Sequence, residues 1–148
     1  AGPWVDAWLA EHPAARFDER VYEAMLPLVQ TRVVVLGDVP ALVDFLFLPD
    51  PELDADAWAK TMKDTAAAIL SDAESAYRSC EWHAETLKSA LEGISTAHGL
   101  KLGKTQAPIR VAVTGRTVGP PLFEALELLG REETLRRIAG ALARLAAG

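Results

Sequence analysis

The chain has 148 residues, half of them hydrophobic and 24% charged, which is enough apolar content for one buried core or two small packed ones. Its net charge of −6 argues against a sequence-independent nucleic-acid binder, and we expect no DNA partner, although a local basic surface remains compatible with it. No apolar run approaches the roughly 20 residues of a membrane span, so we expect no membrane partner.

Cysteine and histidine usage is sparse. The single cysteine cannot form an internal disulfide, and we therefore expect a cytoplasmic protein. Three scattered histidines and one cysteine do not have the spacing of metal ligands, so no metal site is expected.

The first third of the chain alternates helix signals with one strand signal. Asp18 is positioned to cap a helix through "ERVYEAMLPLVQ", and Pro27 predicts a kink or a short break within it. Three β-branched residues in a row at 33–35 indicate a strand over Val33–Leu36. Asp38 then caps a further helix that ends at Pro49.

The middle of the chain is strongly helical. The segment Glu52–Ser79 predicts one long helix, capped by Asp54 or Asp56 and with a pause at residues 71–72. A second helix follows Trp82, and Gly99 stands where a left-handed C-cap is expected.

The last third contains one ambiguous segment and two clear helices. Valines and isoleucine alternate over Ile109–Val113 like a strand, and the residues alone leave strand and helix open. Leu122–Leu129 predicts a short helix that ends at Gly130. The final helix carries arginines that we expect to form a solvated face: Arg131, Arg136, Arg137 and Arg144.

A proline- and acid-rich stretch, Leu48–Asp56, is the best candidate for a joint between two helical units. It divides the chain into a first subdomain, residues 1–50, and a second subdomain, residues 51–148, which would carry the functional segment. Nothing resembles a heptad seam, and we expect a monomer.

One segment reverses the charge balance of the chain. Gly93–Phe123 contains no aspartate or glutamate, and it carries five basic side chains: His98, Lys101, Lys104, Arg110 and Arg116. Its glycines, prolines and hydroxyl residues favour exposed turns with accessible backbone amides. Such a surface suits phosphates and base edges, as in the recognition of single-stranded RNA loops. The alternative is a solvated face with no partner.

The sequence "GLKLGKTQAPIRVAVTGRTVGPPLFEALELLGREETLRRI", Gly99–Ile138, resembles the C-terminal end of bacterial glutamyl-tRNA synthetases, in particular actinobacterial members. The family pattern there reads approximately K-L-G-K, then P-[IL]-R-V-A-x-T-G, then S-P-P-L-F-E, then L-L-G-R/K-E. These parts occur here in order, and "LVQTRVVVL" also looks like a family segment. The resemblance implies an all-α anticodon-binding cage of two small subdomains, and therefore helix rather than strand at Ile109–Val113.

The resemblance also implies residue roles in reading a tRNA anticodon. Arg110 aligns with an arginine that contacts the first anticodon base, and Arg32 aligns with one that reads the third base in some members. Gly119, Pro120 and Leu122 align with residues that line the first-base pocket, with Phe123 adjacent. The family usually has Ser or Thr at the position of Gly119, so any base contact there must come from the backbone.

Each of these residues has a simpler reading. Arg32 would equally fit an ion pair with Asp38, and the stem of Arg110 could merely cover a helix. Lys101, Lys104 and Arg116 would contact the tRNA backbone, or otherwise keep the loop soluble. The tryptophans and Phe123 favour the core over a stacking role.

The catalytic signatures of such an enzyme are missing from the sequence. There is no HIGH-like or KMSKS-like motif and no glycine-rich phosphate loop, so we expect no catalytic residue and no cofactor in this piece. ATP and Mg²⁺ would belong to the catalytic domain of the parent glutamate–tRNA ligase, and glutamate-accepting tRNA would be the partner of this part. The alternative function is a helical protein–protein interaction module with an incidental basic loop.

Overall fold

The computed structural model describes residues 3–29, 43–49 and 53–147, and these residues contain helices and no strand. The elements in chain order are α1 (Pro3–Glu11), α2 (Glu19–Val29), a 3₁₀ turn (Asp44–Leu46), α3 (Ala55–Thr61), α4 (Ala66–Tyr77), α5 (Ala84–His98), α6 (Leu102–Thr114), α7 (Leu122–Leu129) and α8 (Arg131–Ala147). The predicted all-α class is confirmed, and within the described part Ile109–Val113 is helical. The predicted strand Val33–Leu36 and the cap at Asp38 lie outside the described residues.

The core forms where α4, α5, α6 and α8 pack on one another, with α7 closing one side against α5 and α8. Fully buried side chains from each of these helices meet there: Leu70, Leu87, Leu91, Ile109, Leu126 and Ile138. Two polar aromatic groups tie the helices together at the edge of this core. The hydroxyl of Tyr77 donates to the carbonyl of Leu87 at 3.2 Å, and the indole N–H of Trp82 donates to the carbonyl of Leu126 at 2.9 Å.

Local capping signals set several helix ends as expected. The carboxylate of Asp18 accepts from the backbone N–H of Arg20, and that of Asp54 accepts from two N–H groups in the first turn of α3. Gly99 ends α5 with φ of 66°, and Gly130 follows α7 with φ of 94°. These positive φ values are easily reached by glycine because it has no Cβ.

Of the kink or short break predicted at Pro27, the break does not occur, because α2 continues through Pro27 to Val29. The predicted pause at residues 71–72 is wrong, because α4 passes through them. The long middle helix instead breaks at Met62–Thr65, where Asp64 takes φ of 55°. The break lets α3 pack on α6 while α4 packs on α5, α6 and α8, so the apolar sides of both halves, including Met62, become buried.

The arginines of α8 do not form one solvated face. Arg131, Arg136 and Arg144 are exposed, but Arg137 is only 5% exposed. Its guanidinium donates to the carbonyls of Val113 and Leu48, each at 2.8 Å, and to Glu133 at 2.9 Å. The Val113 carbonyl belongs to the last turn of α6, where carbonyls lack helical partners, so a buried donor is stabilising there.

Candidate nucleic-acid interface

The turn between α6 and α7, residues 115–121, is fixed at its start by hydrogen bonds from the end of α6 and from the residue before α3. Gly115 ends α6 with φ of 78°. The hydroxyl of Thr114 donates to the carbonyl of Arg110 at 2.8 Å and accepts from the N–H of Arg116 at 3.1 Å. The N–H of Asp54 donates to the carbonyl of Gly115 at 2.9 Å, which ties the turn to the start of α3. The backbone therefore leaves α6 in a defined direction.

The Arg110 side chain lies against this turn. Its Nη1 donates to the carbonyl of Pro120 at 2.7 Å, and the side chain is half-buried. A Cβ placed on Gly119 would stand 3.3 Å from the same Nη1, so the guanidinium occupies the space where a larger residue would begin. Three predicted site residues, Arg110, Gly119 and Pro120, thus come together, and a guanidinium beside a rigid turn presents directed donors to base edges.

Leu122 and Phe123 begin α7 immediately after this turn, and both are buried, at 2% and 7% exposure. Their side chains pack in the core, as expected for Phe123 from its apolar surroundings. Arg110 together with the turn of residues 115–121 is called the Arg110 corner below. A nucleobase at this corner would therefore first meet the backbone of Leu122 and Phe123. Their assignment to the base pocket stays a prediction.

Arg116 is held by a carboxylate from a distant part of the chain. Its Nη1 and Nη2 donate to the two oxygens of Asp44 at 2.8 and 3.2 Å, and Asp44 is 6% exposed. This two-pronged pair joins the 3₁₀ turn to the loop after α6. Two of the Arg116 donors are thereby committed within the protein, and its contact with tRNA phosphates stays a prediction. Arg32 lies outside the described residues.

The start of α6 presents the two predicted phosphate contacts, Lys101 and Lys104, both of which are exposed. His98, just before them, places its Nε2 2.7 Å from a carboxylate oxygen of Asp72. Because Asp44 and Asp72 reach the segment from elsewhere, the acid-free stretch of sequence is not an acid-free surface. The positive character that remains on its exposed side comes from the two lysines and from Arg110.

Sequence reasoning missed Asp44. One signal was present, since a lone carboxylate in the apolar run "ALVDFLFLP" has to find a donor when it is buried. Its partner was not readable, because Arg116 lies 72 residues further along the chain.

The fold and the Arg110 corner together indicate the class of protein. The described residues form an all-α bundle with a cationic turn, and none of their helices has the length and apolarity that crossing a bilayer requires. Arginine and lysine side chains and backbone N–H groups are the donors that contact nucleic-acid phosphates, so a turn flanked by cations fits a module that binds nucleic acid.

Comparison with known proteins gives the family. Residues 2–142 match the "Anticodon binding domain" family. The chain is 55% identical over 146 residues to a glutamate–tRNA ligase of Frankia casuarinae, covering 99% of this chain and 31% of that protein. It is 51% identical to that of Streptomyces coelicolor, covering 98% and 30%. A crystal structure of a glutamate tRNA ligase from Elizabethkingia meningosepticum in complex with its amino acid superposes with a TM-score of 0.80 at 27% identity, over 97% of this chain and 28% of that one.

The chain therefore belongs to the anticodon-binding domain family. It spans about a third of the length of the curated relatives that it matches.

Proposed function

We propose that this chain is the tRNA-binding part of a glutamate–tRNA ligase and that it selects tRNA by reading the anticodon at the Arg110 corner. The observation that carries the proposal is the contact of the Arg110 guanidinium with the Pro120 carbonyl at 2.7 Å, within a chain that belongs to the anticodon-binding family. A positioned guanidinium offers base edges a fork of donors at little further cost in side-chain entropy.

The surroundings of Arg110 support a recognition role over a purely structural one. The side chain is half-buried, so it can meet a base without leaving its place on the turn. Gly119 and Pro120 add backbone groups of fixed direction beside it, and the two exposed lysines at the start of α6 supply charge for phosphates. Phosphate contacts position an RNA, whereas contacts to base edges specify it.

The activity of the parent enzyme belongs to the same proposal. That enzyme would activate glutamate with ATP and transfer it to the 3′ end of tRNA in its catalytic domain. This part would contribute the choice and orientation of the tRNA, acting in the cytoplasm with glutamate-accepting tRNA as its partner.

The competing function, a protein–protein interaction module, requires an exposed apolar patch. Within the described residues the large apolar side chains that are exposed are Leu26 and Val118, one on α2 and one in the loop before α7. Two exposed large apolar side chains are too few for such a patch, so the RNA reading is favoured.

The test is a binding measurement with two RNA hairpins. One carries the glutamate anticodon, and the other has the same stem with an unrelated anticodon. Fluorescence anisotropy should show tighter binding of the first hairpin by wild type, and Arg110→Ala should reduce that preference by about 1–3 kcal/mol. Arg110→Lys keeps the charge but loses the planar fork, and we expect it to restore affinity without restoring the preference.

Arg78→Ala is the matched control, because Arg78 is an exposed arginine that pairs with Glu74 on α4. It should leave the preference unchanged. Equal binding of the two hairpins by wild type would refute anticodon reading by this chain.

A further inference from the structure

A second part of the surface, a groove that does not include Arg110, is also positively charged. It lies between the α3–α4 turn and the outer side of α6 and has a volume of about 480 Å³. Its rim carries Lys60 and Lys63 on one side and Lys104 on the other. Its floor is apolar and is formed by residues that include Ile69, Leu100 and Pro108.

The positive charge of the groove is not cancelled locally. All three lysines are exposed, and among the described residues no carboxylate lies within ion-pairing distance of their ammonium groups. Among the described residues that line the groove, Asp64 is the acidic one, and the three lysines outnumber it. In a chain with a net charge of −6, a groove with this excess of positive charge is a local attractor for anions.

The backbone that carries Lys60 and Lys63 is well defined. The N–H of Met62 donates to the carbonyl of Trp58 at 2.8 Å, and the N–H of Ala66 donates to that of Lys63 at 3.0 Å. Met62 is itself buried, which anchors the turn to the core. The lysines therefore project from a fixed rim rather than from a mobile loop.

The placement of the lysines on two sides of the groove suits a ligand with negative charges spaced along its length, such as a chain of phosphates. Its floor offers apolar surface and its rim offers ammonium groups on opposite sides, so a linear polyanion can lie across it with contacts on both edges. Lysine ammonium groups act as point charges on phosphates and read no base sequence.

Helix α6 links the groove to the corner. Lys104 and Arg110 are six residues apart, which in an α-helix corresponds to about 9 Å along the axis and about 120° around it. The two side chains thus lie on different faces of one rigid helix. An RNA whose loop meets Arg110 would have to curve around α6 to bring its adjoining backbone to Lys104.

We propose that the groove rimmed by Lys60, Lys63 and Lys104 binds the phosphate backbone of the RNA whose loop is read at the Arg110 corner. The inference rests on the proposed function and adds Lys60 and Lys63 as RNA contacts. Lys104 holds the RNA from α6, and the two other lysines hold it from the α3–α4 turn.

The experiment measures the salt dependence of binding to the glutamate-anticodon hairpin, for the 148-residue chain and for its Lys60→Gln/Lys63→Gln variant. Removing two lysine–phosphate interactions should lower the slope of log K against log salt by about 1.4, and should weaken binding about 25-fold at 0.1 M salt. The preference for the glutamate anticodon over the unrelated one should stay unchanged, because the lysines contact no base edge.

The control is Arg20→Gln/Lys88→Gln, which removes the same charge from exposed positions on α2 and α5 that do not line the groove. If the groove variant changes the slope no more than this control while wild type still discriminates between hairpins, the groove inference is overturned and the proposed function stands. If wild type does not discriminate, the proposed function fails and the inference fails with it. Circular dichroism checks that each variant keeps its helix content.

Discussion

Two arginine-centred regions of the molecule differ in how deeply the arginine side chain is buried. Arg137 is buried, and its nitrogens donate to two backbone carbonyls and to Glu133. Arg110 is half-buried and lies on the Gly119–Pro120 turn through one nitrogen that donates to Pro120. The first arrangement stabilises the fold, whereas the second keeps a cation at the surface in a fixed position. The degree of burial, rather than residue type, separates the two roles.

The largest loss of stability is expected when the buried arginine of this pair, Arg137, is replaced. The substitution Arg137→Met leaves the carbonyls of Val113 and Leu48 without their donor. The free energy of unfolding should therefore fall by about 3 kcal/mol. Urea denaturation measures the loss. The exposed control on the same helix, Arg144→Met, removes an interaction with the Trp58 ring and should cost less than about 1 kcal/mol. Equal losses in the two variants would contradict a structural role for Arg137.

A second variant tests Arg116, which is predicted to contact tRNA but is paired with Asp44. Asp44→Ala should lower the free energy of unfolding by about 2 kcal/mol, because it removes the buried partner of a two-pronged ion pair. A double-mutant cycle with Arg116→Ala should give a coupling energy of about 1–2 kcal/mol. RNA affinity of Arg116→Ala, measured below its unfolding transition, then decides whether Arg116 also binds phosphate.

The ion pairs of Glu133 make a pH-dependent contribution. The hydrogen bond from Arg136, followed by the interactions with Arg137, holds the pKa of Glu133 below its ordinary value of about 4.5, against the opposing effect of burial. A lowered pKa in the folded state means that the stabilisation is present above the unfolded-state pKa and is lost as the pH falls through the folded-state value.

Glu133→Gln should therefore cost up to about 1 kcal/mol at pH 7, a figure kept small because the carboxylate is 32% exposed. The difference from wild type should shrink as the pH falls below the unfolded-state pKa, and it should vanish once the pH is below the lowered folded-state pKa of Glu133. A series of urea denaturations from pH 7 downward measures it, and a difference that does not shrink with falling pH would contradict the ionic origin.

The smallest change in stability is expected from a substitution next to Arg110, the arginine proposed to read the anticodon. Gly119→Ser introduces a Cβ 3.3 Å from Nη1 of Arg110, and the flexible end of the arginine has to shift by a few tenths of an ångström. Stability should change by less than about 0.5 kcal/mol, whereas the preference between RNA hairpins should change by roughly threefold because Arg110 moves relative to Pro120. Gly103→Ser is the control, since a Cβ at Gly103 meets nothing within 4 Å. If Gly119→Ser and Gly103→Ser change the preference between hairpins equally, Gly119 does not belong to the RNA-binding site.

Local chemistry made part of this structure predictable. The caps at Asp18 and Asp54 and the helix ends at Gly99 and Gly130 depend on groups within a few residues of one another, so the sequence alone places them. The family motif likewise assigned Arg110 and Pro120 to one pocket, and the two residues are in direct contact.

Tertiary packing decided what local chemistry could not. The sequence by itself determined several helix ends, because capping and glycine conformations act within one or two turns. The all-α class and the residues of the Arg110 corner came instead from the resemblance to a family. The break at Met62–Thr65 instead follows from the burial of two apolar faces against different helices. The burial of Arg137 and its bond to Leu48, 89 residues away, likewise required the assembled fold. Such partners are distant in sequence, and only the packing of α6, α8 and residues 43–49 brings their donors and acceptors within hydrogen-bonding distance.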